Sequence, residues 1–325
     1  MKKNIAVVGC GYWGKNLVRN FSNLGVLSSI CDPSEEITTK YVNQYNVKKC
    51  SFTEIKNDSN IKGVVLAVPA HLHASMAIEA MNSGKHVFVE KPLAMNENEA
   101  ELMIATAKKK GVQLMVGHLL QFHPVFKTIL KLVNKGEIGE LNYIYSNRLS
   151  FGKVRTEEDV IWSFAPHDIS MILSLASQEP KFVSTKSTHI LQKNIVDNAI
   201  IHIEFKSGLK SHISLSWLNP HKEHKLVIVG KSAMLVFDDT KPWSEKLALY
   251  DYKVISSPNL INLNKSDVKY FNIPEEEPLR NECQHFIDVV EKDIQPLTNG
   301  VEGLRVLKVL SAASESQIKN ETVKI

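Results

Sequence analysis

The stretch "NIAVVGCGYWGKNLVRNFSNLG" (residues 4–25) constrains this chain more than any other. A short, wholly apolar run (4–9) leads into Gly9, Gly11 and Gly14. A segment with Leu17, Val18, Phe21 and Leu24 at helical spacing follows and stops at Gly25. By itself G-x-G-x-x-G is a weak signal. Between a strand and a helix it describes a turn where backbone can approach a pyrophosphate, with the helix N-terminus to stabilise its charge. Tyr12 and Trp13 lie within that turn. Asp32 ends the next apolar run, "LSSICD", 18 residues past Gly14 (32 − 14). An acidic group there accepts the adenosine ribose hydroxyls and repels a 2′-phosphate, so the expected cofactor is NAD rather than NADP.

Further runs at 63–68 ("GVVLAV"), 86–90 ("HVFVE") and 114–118 ("LMVGH") lack alternation, as strands of a parallel sheet covered on both faces do. Between the last two, Asn96 with Glu99 three residues on reads as a capping box. Ala100, Met103, Ile104 and Ala107 follow at helical spacing, and Gly111 closes the helix. The first domain is thus expected over residues 1–120.

After residue 120 the pattern changes. "LNYIYSNRLSF" (141–151), "DNAIIHIEF" (197–205), "SHISLSW" (211–217) and "HKLVIVGKSAMLVFDD" (224–239) have strand composition. Ala199, Ile201, Ile203 and Phe205 alternate with His202 and Glu204, and the last segment reads as a hairpin turning at Gly230–Lys231. An α+β domain over 121–325 is expected, with an open-faced, mainly antiparallel sheet whose mixed face could meet a second subunit. Leu279, Cys283, Phe286, Ile287 and Val290 form a helical stripe, and "GLRVLKVLSAASES" a closing helix. These last helices are candidates to pack back on the first domain.

A net charge of +4, spread along the chain, gives no nucleic-acid footprint. No run approaches the ~18 apolar residues of a membrane span. Four cysteines (Cys10, Cys31, Cys50, Cys283) show neither metal-ligand spacing nor a disulfide rhythm. A cytoplasmic, metal-free protein is expected.

"HVFVEKP" (86–92) ends an apolar strand in Glu90, Lys91 and Pro92. Either the strand end simply reaches water, or Lys91 is a tool at the carboxyl edge of the sheet, where such folds place their ligands. Pro69 and His73 in "AVPAHLH" and Glu90 fall at the same edge; His71 and His73 also suit packing. In "WSFAPHDIS", Pro166 reads as the first position of a helix. His167 and Asp168 would then occupy its first turn, where the dipole favours a neutral imidazole able to accept a proton. Lys153, Arg155, His221, Lys222 and Lys225 are candidates for a phosphate clamp, or else solvated loop residues.

At this point the chain resembles the glucose–fructose oxidoreductase / inositol dehydrogenase (Gfo/Idh/MocA) family. The residues that carry the likeness are "VVGCGYWG", "AVPAHLHASMAIEAMNSGKHVFVEKPLA", the helix-start His167 and the terminal "ECQHFIDVV…GLRVLKVLSAA". The resemblance implies a Rossmann domain with an open-faced C-terminal sheet, Lys91 as catalytic before a cis Pro92, and His167 as acid/base. The motif around the base usually has an aspartate four residues before the histidine. Ser163 stands there, which leaves no lysine–aspartate relay. "RTEEDVIWSFAPHDIS" with "SWLNPHKEHK" is most similar to members that oxidise the 3-hydroxyl of UDP-linked N-acetylated amino sugars. The resemblance also places Gln121, Phe122 and His123 near the pocket, so Gln121, His123, Arg155, Ser163, Asp168 and Lys222 are the expected substrate contacts. It implies a UDP-sugar substrate and a homodimer or homotetramer through the C-terminal sheet. Dehydrogenases of other sugars or cyclitols, and glycosidases that retain their NAD, share the pattern.

Overall fold

A computed structural model describes residues 2–152, 154–257 and 260–325, so Lys153 lies outside the described residues. The chain divides into two compact units. One comprises Met1–Phe122 with Glu277–Leu307, the other His123–Glu276 with Lys308–Ile325.

The first unit alternates strand and helix: β1 (Ile5–Val8), α1 (Gly14–Asn23), β2 (Leu27–Cys31), α2 (Glu35–Tyr45), β3 (Lys48–Lys49), α3 (Phe52–Asn57), β4 (Gly63–Leu66), α4 (His73–Asn82), β5 (His86–Val89), α5 (Glu97–Lys110) and β6 (Leu114–Val116). All strands pair in parallel in the order β3-β2-β1-β4-β5-β6. The reversal between β1 and β4 is where such sheets open a ligand crevice. Two-residue β3, with its exposed "KK", carries no apolar run and so gave no sequence signal. At α5 the Asn96 side chain accepts from the Glu99 N–H at 3.0 Å. Glu99 returns to the Met95 N–H rather than to that of Asn96, so the expected box is only half formed.

In the second unit come α6 (Pro124–Asn134), β7 (Leu141–Phe151), α7 (Val160–Ala176), β8 (Pro180–Thr188), β9 (Asn198–Phe205), β10 (Lys210–Ser216), β11 (Leu218–Gly230), β12 (Ala233–Asp238), β13 (Leu247–Ser257), β14 (Leu260–Lys265) and β15 (Lys269–Tyr270). Helices α8 (Pro278–Lys292) and α9 (Gly300–Lys319) and strand β16 (Val323–Lys324) complete the chain. Ten strands form one sheet in the order β14-β13-β12-β11-β7-β10-β9-β8-β16, with β15 beside β13. The ladder is antiparallel except for β7 with β10, which run parallel. Helix α7 lies against β7, β9 and β10, and Ala199, Ile201, Ile203 and Phe205 are buried on that side. The opposite face keeps His202 and Glu204 exposed.

Helix α8 belongs to the first unit for a packing reason. Its stripe buries Leu279, Cys283, Phe286 and Ile287 in one core with Ile5, Phe21, Phe88 and Met115. Phe286 meets Phe21 edge-on at 6.2 Å and Phe88 at 5.6 Å.

Candidate active site

The glycine turn has the shape that a pyrophosphate needs. Gly9 sits at φ +85°, and a Cβ there would meet the Ala67 carbonyl oxygen at 2.4 Å. A Cβ on Gly14 would lie 1.9 Å from the Gly9 carbonyl oxygen, whereas the space around Gly11 is open. Only glycine permits the first two contacts, and the open third position leaves backbone accessible at the start of α1. Asp32 is fixed by two main-chain donors, Cys10 N–H at 2.7 Å and Ser34 N–H at 2.9 Å. Its carboxylate therefore stands at the end of β2, beside the turn, where a ribose diol is bound in this fold. The residues fit a dinucleotide.

Trp13 leans back from the turn and donates Nε1–H to Glu90 Oε1 at 2.6 Å, while Tyr12 is largely exposed. Lys91 follows Glu90, half-buried, with its N–H donating to Glu90 Oε2 at 3.3 Å; the Lys91–Pro92 peptide is cis. Pro69 precedes a short 3-10 turn at the end of β4. His73 is buried, and its two ring nitrogens lie 2.7 Å from the Pro92 carbonyl oxygen and 3.0 Å from that of Val68. Burial pushes its pKa down. With both nitrogens on main chain, His73 is a strut between the ends of β4 and β5. That replaces the direct cofactor contact expected of it.

In the second unit the expected start of the His167 helix is corrected. Helix α7 begins at Val160, capped by the Asp159 side chain on the Trp162 N–H at 3.0 Å, and Pro166 lies inside it. Asp159 supplies the better cap, and the helix continues through a proline that cannot donate to the Trp162 carbonyl. His167 is thus two turns in, so the first-turn dipole argument does not apply to it.

Asp168 does not present itself to a ligand. It is buried, takes Arg148 Nε–H at 2.5 Å and an Arg148 NH2 proton at 3.2 Å, and also accepts from the Ser146 hydroxyl at 2.5 Å. A buried carboxylate needs such pairing. Arg148 stands opposite His224 on β11, and burial together with the Arg148 charge pushes His224 down to about 4. His123 is likewise engaged. It caps α6 through Nδ1 on the Val125 N–H at 3.1 Å, stacks on Trp243, and has Nε2 3.6 Å from Asp239 Oδ1. Gln121 is buried in a 3-10 turn of the first unit, and Ser163 is buried on α7. Arg155 is exposed and paired with Glu158, and Lys222 is exposed on β11.

Several residues of chemical interest escaped the sequence reading. Arg148 looked like one polar residue of an alternating strand. His118, at the end of β6, is buried with no hydrogen-bond partner on either ring nitrogen among the described residues. Burial and the Lys91 charge push it down to about 4. Glu282 occupies the apolar stripe of α8, one position before Cys283, and its place in that stripe was the available signal.

Residues 3–118 match a family described as an oxidoreductase family with an NAD-binding Rossmann fold, and residues 126–236 match the GFO/IDH/MocA C-terminal domain. The chain belongs to the Gfo/Idh/MocA oxidoreductases. Like that family it is an NAD-binding enzyme. Over 96% of its length it is 24% identical to scyllo-inositol 2-dehydrogenase (NAD(+)) of Bacillus subtilis, covering 93% of that protein. To 2,7-anhydro-N-acetylneuraminate hydratase of Escherichia coli it is 25% identical over 72% of its length and 67% of the relative's. Among solved structures, UDP-N-acetylglucosamine 3-dehydrogenase of Acidithiobacillus ferrooxidans superposes with a TM-score of 0.86 at 19% identity, covering 98% of both chains. Aldose-aldose oxidoreductase of Caulobacter crescentus gives the same TM-score at 19% identity over the whole of both chains. Among the described residues no helix is long and apolar enough to cross a membrane, and no side-chain group is arranged to hold a metal.

Proposed function

We propose that this oxidoreductase oxidises the 3-hydroxyl of a UDP-linked N-acetylated amino sugar to the ketone. Support comes chiefly from Lys222, exposed on β11 and close enough to His224 for its charge to help lower that pKa; Arg148 and Lys225 are already held by carboxylates. An exposed ammonium suits a diphosphate and has little use for a neutral cyclitol. The solved UDP-sugar dehydrogenase of the same fold is consistent with this choice. NAD, when bound, accepts the hydride. Lys91 donates to the alcohol oxygen as charge develops there, and His167 takes the hydroxyl proton. Asp32, Gly9, Gly11 and Gly14 hold the dinucleotide, with Tyr12, Trp13, Pro69 and Glu90 along the same edge.

A second reading, oxidation of a cyclitol or other free sugar, is favoured by the relative named as an inositol dehydrogenase. One experiment separates them. The protein is mixed with NAD and each of UDP-N-acetylglucosamine, its glucuronate form, and myo- and scyllo-inositol, and NADH is followed by absorbance. NADH with a UDP-sugar alone supports the proposal, and NADH with inositol alone refutes it. Lys91→Met is expected to reduce kcat/KM about 10²–10⁴-fold with NAD binding retained.

A further inference from the structure

Two carboxyl groups lie buried in the first unit, near enough for the charge of one to act on the other, and among the described residues only one has hydrogen-bond donors. Glu90, 8% exposed, takes Trp13 Nε1–H from the glycine turn and the Lys91 N–H. A Cβ on Gly117 would come within 2.9 Å of Glu90 Oε2, so the carboxyl lies against bare main chain at the end of β6. Glu282, fully buried on α8, has no hydrogen-bond partner for either oxygen among the described residues. A carboxylate cannot be held ionised in such a place, whereas a protonated carboxyl can. Lys91 acts on Glu90 from the strand end, and Cys283 adjoins Glu282 on α8. His118 follows Gly117, with the Lys91 charge acting on it, and Glu277 and Arg19 act on Cys283 from farther out.

Burial pushes Glu90 up to about 7, against the opposing effects of Trp13 and Lys91. Burial, and then the Glu90 charge, pushes Glu282 well above the carboxylate range. An ionised Glu90 thus holds the proton on Glu282 the more firmly. Glu90 also stands at the carboxyl edge of β5, tied by Trp13 to the turn that fits the pyrophosphate, so it belongs to the dinucleotide edge of the sheet.

We infer that Glu90 and Glu282 form a proton-holding pair that answers the charge of the nicotinamide. Glu282 keeps its proton throughout. Glu90 is ionised while the oxidised, cationic ring is bound, and takes one proton from solvent when the neutral reduced ring is bound. A positive charge nearby lowers a carboxyl pKa and its removal raises it. NADH binding therefore takes up protons and NAD binding releases them. The ratio of the two affinities changes by up to tenfold per pH unit while Glu90 titrates, with NADH favoured on the acid side. The alcohol's two electrons leave as hydride; the pair only changes where a proton resides. The inference needs the dinucleotide alone and stands apart from the choice of sugar.

The test is calorimetric titration of the full chain with NAD and with NADH, without sugar, in two buffers of different ionisation heat near pH 7. Proton uptake on NADH should exceed that on NAD by up to one per chain. Glu90→Gln should abolish the excess. Glu282→Gln, an amide in place of a neutral acid, should keep it. Equal proton counts for the two dinucleotides in the parent protein overturn the inference, whatever the variants do. So does an excess that survives in Glu90→Gln, which would assign the proton to Lys91, His118 or Cys283. Loss of the excess in Glu282→Gln would also overturn the pairing, since a permanently neutral Glu282 should tolerate that change.

Discussion

Asp32 is bound by two backbone N–H groups, so its carboxylate is placed before any ligand arrives. Asp32→Asn keeps the shape and one oxygen acceptor but loses the charge. NAD affinity should fall about tenfold, the order expected for one weakened charged contact, and NADP affinity should rise relative to NAD. Fluorescence titration with both dinucleotides checks this; unchanged preference would remove Asp32 from its assigned role. Asp32 could be read from the sequence because a local rule governs it, a strand end a fixed distance from a glycine turn. Asp168, His73 and His123 could not. Each is a polar residue whose use depends on a partner distant in sequence: Arg148 for Asp168, Pro92 for His73, Asp239 for His123. Spacing reports which face a residue occupies and is silent on what stands opposite.

Among the elements, α7 shows how a local signal can be outbid. Pro166 suits a helix start, yet Asp159 caps an earlier turn and the apolar residues Val160 and Ile161 extend the buried face toward it. The Arg148–Asp168 pair then ties α7 to β7 across the interior of the second unit. Removing the guanidinium in Arg148→Met leaves the buried Asp168 carboxyl without its cation, and should cost about 3–5 kcal/mol of stability. Chemical denaturation measures it, and a loss below about 1 kcal/mol would mean the pair behaves as a surface contact. In α8 the sign is reversed. The folded pKa of Glu282 is raised, so its contribution is fully present below the unfolded carboxyl pKa and is lost as pH rises. The stability of Glu282→Gln relative to the parent should therefore improve from about pH 5 to about pH 8, followed by urea unfolding at each pH. A difference independent of pH would show that Glu282 is already ionised.

For the molecule as a whole, the strand–helix alternation and the later strand run foretold two architectures. The return of α8 to the first unit rested on one stripe of apolar spacing, and the parallel β7–β10 pair had no sequence signal, since pairing direction is set by connections rather than composition. What remains exposed is the sheet face away from α7. Its strands bring Tyr145, His212 and His202 into one cross-strand row. Tyr145 and His212 stack at 5.2 Å with planes 4° apart, and the Tyr143 hydroxyl bonds to His212. Exposed Ile200 lies on the same side as His202. Such a flat aromatic and imidazole surface, without a covering layer among the described residues of its own unit, is expected to meet its counterpart on a second copy. Burial, and then His202, lowers the pKa of His212, so its ring stays neutral to more acid pH than an ordinary histidine. Acid that protonates His212 should break its contacts with Tyr143 and Tyr145 and so disturb the face. Light scattering should then give a multiple of the 36.5 kDa chain near pH 7.5 and a falling mass only as pH drops below about 6. Ile200→Asp with Tyr145→Asp should give the single-chain mass at both values. A mass unmoved by these changes would place any subunit contact elsewhere on the chain.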